Sequence, residues 1–191
     1  PDVKVRDYQK PIKELGQGDI PKGAKFVEVA IKNFSKKYPF SGGVKVTTSS
    51  AFSSEFGFGS SSASTVCVIK ALSELIGKKL SDKQIFKLSY ITVLDIQGKG
   101  SGFDVAAAVF GGTLYFIKGG KVIKPLKIAS LPLIVGYSGI KFDTVRLIDE
   151  VAKKAKKYPA TVDNVYTAIG KLVEQAKKAL LKKDFVTLGE L

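Results

Sequence analysis

The sequence contains no histidine and a single cysteine, Cys67, in 191 residues. Both shortages narrow the chemistry. Without an imidazole, no Ser–His or Cys–His nucleophile can be assembled, and one thiol leaves no thiolate–imidazole set for a metal. A lone Cys67, embedded in an apolar helix-length segment, also excludes an internal disulfide and fits a reducing cytoplasm. Arginine is nearly as scarce. Arg6 and Arg146 stand alone, although Lys and Arg together number 31 against 17 Asp and Glu. Base and phosphate readers favour the bidentate arginine fork. The net charge of +14 therefore reads as a lysine-rich solvated surface rather than a nucleic-acid stripe. No apolar run approaches the ~18–20 residues of a membrane span. The opening "PDVKVRDYQKPIKEL" lacks the hydrophobic core of a signal peptide, and methionine is absent altogether.

What is present describes a folded, soluble chain: 45% of residues are apolar and the mean hydropathy is +0.09. The length suffices for one good-sized core, or for one domain and part of a second. "AKFVEVAIKNFSKKY" (24–38) spaces Phe26, Val29, Ala30 and Phe34 as one helical face. "GGVKVTT" (42–48) predicts a short strand, and a helix follows from about Ser60 to Ile76. Ser81 is a fitting N-cap for a second helix over "SDKQIFKLSYITVLD". "VAAAVFGG" reads as a short helix ending at Gly111 and Gly112. "TLYFIKGGKVIKPL" is the clearest hairpin, with Gly119-Gly120 at its turn. "LPLIVGYSG" (131–139) predicts a buried strand, and two helices follow over 144–158 and 162–183. The closing "FVTLGEL" reads as a further helix beginning. The expected class is α+β.

Two glycine-rich loops precede helices in this order. "SEFGFGSSSASTVCVIKALSEL" (54–75) runs Gly57, Gly59, Ser60, Ser61 and Ser62 straight into an apolar segment. A helix start offers unpaired N–H groups and the positive end of the macrodipole, which favour an anion. Glycines let a phosphate approach without a Cβ in the way, and serine hydroxyls can bind phosphate oxygens or coordinate Mg2+. The plainer alternative is a Gly/Ser turn with Ser60 as helix cap. The P-loop pattern is absent, because no Gly-Lys-Ser/Thr follows. "QGKGSGFD" (97–104) is the second loop, and it places Asp104 ahead of a run of alanines and valine. Asp104 can be an N-cap, worth roughly 1 kcal/mol, or a general base that takes a proton from a substrate hydroxyl. Phosphoryl transfer needs little beyond phosphate cradling, Mg2+ and a positioned nucleophile. The two loops together suggest a kinase of small molecules.

These stretches resemble a known family. "FGFGSSSAS" is similar to the phosphate-binding motif P-x3-G-L-G-S-S-A of the GHMP kinases, which act on galactose, homoserine, mevalonate and phosphomevalonate. "GKGSGFDVAAAVFGGTLYF" resembles the loop that carries the catalytic aspartate in members acting on mevalonate and phosphomevalonate. "VGYSGIKFDTVRLI" resembles their later substrate-side strand and loop. Together the motifs cover roughly residues 40–191. The resemblance implies a two-layer α/β sandwich with part of a helical, ferredoxin-like C-terminal domain. Residues 1–130 would be the ATP-binding N-terminal domain lacking its first strands, and 131–191 a truncated second domain. Gly57, Phe58, Gly59, Ser60, Ser61 and Ser62 would line the ATP triphosphate, with Ser61 reaching Mg2+. Asp104 would be the catalytic carboxylate, and Ser101, Gly102 and Thr144 would support the substrate. The implied reaction is ATP-dependent phosphorylation of mevalonate at its 5-hydroxyl, a cytoplasmic step of isoprenoid precursor synthesis. No membrane partner is expected, and a homodimer is left open.

The sequence departs from the motif at Ser53 for proline, Phe58 for leucine and Ser62 for alanine. Related enzymes carry a Mg2+-binding glutamate where Val93 stands here, and Asp95 lies about 200° further round the helix. Lys99 and Lys141 can meet an anionic substrate or serve as surface lysines. "SGFDVAAAVFG" is also similar to phosphomevalonate kinases, so phosphomevalonate is the alternative acceptor. Two other classes stay open: a basic RNA-binding module on the same scaffold, opposed by the scarcity of arginine, and a catalytically dead relative. An active-site lysine region before these residues and a glycine-rich motif after them are not visible, so the sequence is expected to be an internal portion of a longer enzyme.

Overall fold

The computed structural model describes residues 7–52, 56–128, 130–140 and 144–191. In chain order the elements are α1 (Lys25–Lys37), α2 (Ser60–Leu75), α3 (Asp82–Gln97), α4 (Phe103–Phe110), β1 (Thr113–Ile117), β2 (Val122–Leu126), α5 (Thr144–Lys157), α6 (Pro159–Lys182) and α7 (Phe185–Glu190). This is an α+β chain. The described residues hold one sheet, the two-stranded β1–β2 hairpin.

The chain divides into two compact units, residues 1–111 with 116–123, and residues 112–115 with 124–191. The first is built on α2, which packs against α1, α3 and α4. Its apolar side chains Val66, Val68, Ile69 and Leu72 are buried, facing Val29, Ala30 and Phe34 of α1 and Ile85, Phe86 and Leu88 of α3 among the core residues. Phe34, Ile69 and Val105 are fully enclosed. Burial of a side chain of this size contributes roughly 1.5–3 kcal/mol. The interior also holds hydroxyls. Thr65 donates to Ser61 O at 2.9 Å and Thr92 to Leu88 O at 2.9 Å, so both satisfy themselves on the preceding helical turn. Glu28 of α1 is a buried acid. Burial opposes its charge, yet the Gly16 N–H at 2.6 Å, Tyr8 and the Lys10 ammonium hold its carboxyl below the ordinary range.

The second unit is mainly helical. Tyr115 donates to Glu174, and Lys177 pairs with the same carboxylate at 2.9 Å while lying 3.9 Å from the Tyr115 ring centroid. The α6 helix starts on Pro159 and is capped after Lys182 by Lys183, whose φ of 59° is left-handed. α7 is capped by Asp184, which accepts from Thr187 N at 3.0 Å.

Two expected strands are not formed. Residues 42–48 are irregular, and 131–139 are irregular and largely exposed rather than a buried strand, with Ile134 fully open to solvent. Both have β-forming sequences, but a strand exists only where a neighbouring strand pairs with it. Cys67, expected in an apolar environment, lies on the exposed side of α2. No helix among the described residues is long and apolar enough to cross a membrane.

Candidate active site

The α2 and α4 helices begin in the same way. The N-cap of α2 is Gly59 with φ 73°, and that of α4 is Gly102 with φ 86°, and neither start has a side-chain cap. A left-handed N-cap favours glycine, since any other L-residue would carry roughly 1–2 kcal/mol of strain there. Ser60 is therefore the first residue of the helix and not its cap. Asp104 is the second residue of α4 and does not cap it either, contrary to the capping alternative for each. The first intrahelical bond of α2 is Ala63 N to Gly59 O at 2.9 Å, so the N–H groups of Ser60, Ser61 and Ser62 precede it. A Cβ built on Gly57 (φ 76°) would meet nothing within 4 Å, which leaves open space beside that backbone.

The two starts converge on each other. Ser62, only 2% exposed, donates its hydroxyl to Asp104 Oδ2. A Cβ on Gly59 would lie 3.6 Å from Asp104 Cβ, so the glycine turn and the carboxylate are in van der Waals range. Asp104 is half-buried, as are Ser60, Ser61 and Ser101, while Gly102 is buried. Gly57 and Phe58 are exposed. Phe58 stands 5.9 Å from both Phe52 and Phe56 in edge-to-face contacts, which form an aromatic cluster on the loop.

The α3 helix contributes no acid to this place. Val93 is 3% exposed, within the core. Asp95 is exposed and turned to α1, where Asn33 Nδ2 donates to its Oδ2 at 2.8 Å and to Thr92 Oγ1 at 3.1 Å. No group of three His, Cys, Asp or Glu suited to a metal ion is present among the described residues. A hard cation prefers oxygen donors; the oxygens that meet here are the Ser62 hydroxyl and the Asp104 carboxylate, and Ser61, expected to reach Mg2+, stands half-buried in the same first turn of α2. Thr144 is exposed at the first position of α5, in the second unit. Ser53 and Lys141 lie outside the described residues. A cleft of about 680 Å3 runs along α1 beside Lys10, Glu28 and residues 43–48, and none of the glycine-loop residues lines it.

Sequence reasoning missed the Ser62–Asp104 bond. The signal was available, because Ser62 is where a hydroxyl replaces the methyl of the motif. It also missed the contacts that Tyr90 makes with the second loop. The i, i+4 spacing of Phe86 and Tyr90 on α3 signals only the stacking of the two rings on each other.

An uncapped, glycine-initiated helix leaves N–H groups that an anion can accept from, and here a carboxylate on a second such helix stands beside it. Residues 25–112 match the family described as GHMP kinases N terminal domain, which sets this stretch of the chain with the GHMP kinases. Its similarities narrow the field. It is 36% identical over 170 residues to a mevalonate kinase of Pyrococcus horikoshii, covering 86% of this chain and 49% of that protein. It is 32% identical over 168 residues to one of Thermococcus sibiricus, covering 88% and 50%. Against one of Saccharolobus solfataricus the identity is 25% over 193 residues, covering 100% and 60%. The chain thus spans about half the length of the first two curated relatives.

Proposed function

We propose that this protein transfers the γ-phosphoryl group of ATP to the 5-hydroxyl of mevalonate. The observation that carries the reading is the convergence of the two glycine-initiated helices, which sets Asp104 against the first turn of α2. In this reading the amides of Ser60, Ser61 and Ser62, with Gly57, Phe58 and Gly59, receive the triphosphate. The Ser61 hydroxyl would hold Mg2+, which when bound would supply positive charge to the phosphoryl oxygens. Asp104 takes the proton of the acceptor hydroxyl as its oxygen bonds to the γ-phosphorus and the bond to the ADP oxygen breaks. Ser62 gives its backbone N–H to the phosphate side and its hydroxyl to Asp104, a division that the motif's alanine would not allow. Ser101 and Gly102 belong to the acceptor side, and residues 131–191, Thr144 among them, to a second domain.

The test is ATP consumption by the full-length protein with mevalonate and with 5-phosphomevalonate, side by side, with and without Mg2+. Turnover on mevalonate alone is the expected result. Turnover on 5-phosphomevalonate alone would move the acceptor from a hydroxyl to a phosphate, and no turnover on either would overturn the kinase reading. Ser61→Ala is expected to raise the Mg2+ concentration needed for half-maximal rate, and an unchanged Mg2+ dependence would remove Ser61 from the metal.

A further inference from the structure

The loop that delivers Asp104 is held on three consecutive residues from outside itself. Tyr90 of α3 donates its phenolic O–H to Gly100 O at 3.0 Å. Gly119 of the hairpin turn donates its N–H to Ser101 O at 2.8 Å. The Tyr90 ring then closes on Gly102, where any Cβ would come within 2.8 Å of Cδ2 and 2.9 Å of Cε2. Gly102 is the N-cap of α4, two residues before Asp104. The Tyr90 ring is itself fixed, stacked on Phe86 with centroids 5.7 Å apart and planes 16° apart. Phe86 packs in turn against Phe110 at the end of α4, against Phe116 of β1, and against the backbone of Gly120.

The side chains of this brace carry no charge, and the contacts just described run to the second loop, α4 and the hairpin. What the brace fixes is the direction in which α4 leaves the loop, and with it the place of the Asp104 carboxylate. We infer that Tyr90 is the positioning residue for Asp104. Its hydroxyl locks the Gly100 carbonyl, and its ring sets the backbone at Gly102, so that the carboxylate meets the acceptor hydroxyl in a reactive geometry. The inference rests on the reading of Asp104 as the base. A displacement of about 1 Å at a reacting group can cost ~100-fold in rate, whereas loss of one neutral hydrogen bond is worth about tenfold.

Two variants separate the ring from the hydroxyl. In the full-length protein, Tyr90→Phe is expected to lower kcat about tenfold and Tyr90→Leu about a hundredfold. KM for ATP should stay within about twofold of wild type in both, because the α2 start is untouched. Amide hydrogen exchange over residues 100–104 should quicken in the same order, while the melting temperature of Tyr90→Phe stays near that of wild type. A wild-type kcat in Tyr90→Leu would overturn the inference. So would a rise in KM for ATP that matches the fall in kcat, since that would mark general loosening. If the wild-type protein phosphorylates neither acceptor, the kinase reading fails by itself. The exchange measurement then decides, and unchanged exchange over 100–104 in both variants overturns the brace.

Discussion

Two kinds of helix start occur within one small unit. α3 begins with a closed capping box: Ser81 Oγ accepts from Gln84 N, and the Gln84 side chain accepts from Ser81 N at 2.8 Å. Its N-terminal amides are answered by its own sequence. α2 and α4 begin on left-handed glycines with no side-chain cap. Both kinds face the same requirement, because every helix leaves its first four N–H groups without intrahelical partners. A cap satisfies that requirement within the protein and stabilises it. A glycine start leaves the groups for something else, at a cost in stability that must be offset by packing elsewhere. Lack of a cap is not the whole difference, since α1 also starts without one, on Ala24; what α2 and α4 share is the left-handed glycine.

The sharpest test of this division is Asp104→Asn. Phosphoryl transfer should fall by roughly 10²–10⁴, the usual worth of a general base, while ATP affinity measured by calorimetry stays within about threefold. Retention of most of the turnover would mean that the carboxylate is only a neighbour of the glycine turn. Next in size is Ser62→Ala, which restores the methyl of the motif. With the Asp104 partner gone, kcat should drop about tenfold at unchanged ATP affinity. Loss of ATP affinity with kcat preserved would instead assign the hydroxyl to the phosphates. Ser81→Ala should cost about 1 kcal/mol in urea unfolding and leave kcat alone, and a clear loss of kcat would erase the distinction between the two kinds of start.

The smallest effect concerns pH. Hydrogen bonds from the Thr187 hydroxyl and then its N–H hold the Asp184 carboxyl below its ordinary value of 3.8. Its contribution to α7 is therefore fully present above that value and is lost as pH falls through the lowered one. The Thr187 amide proton, followed by NMR from pH 7 downward, should keep its position until below 3.8 and then move. The α3 cap, being a hydroxyl and an amide, should show no such transition.

Much of this was legible beforehand, for identifiable reasons. Apolar periodicity located α1, Ser81 marked the start of α3, and Gly119-Gly120 marked the hairpin turn, because each signal is local. The glycine loops were legible as helix starts, although their lack of side-chain caps was not. The segments 42–48 and 131–139 misled, because β-rich composition reports what a backbone favours and not whether a partner edge lies beside it. The Ser62–Asp104 pair joins residues 42 apart and the Asn33–Asp95 pair joins residues 62 apart. No periodicity predicts such meetings. They exist because α2 packs on α4 and α1 packs on α3.

The α4 helix is only eight residues long, well short of the ~12–15 that an isolated helix needs to persist in water. Val105 and Ala106 are fully enclosed, so the helix owes its existence to the surfaces that receive it. The place of the Asp104 carboxylate is thus set by docking: a substitution that loosens the surfaces around Val105 and Ala106 would unmake the helix and displace the carboxylate together.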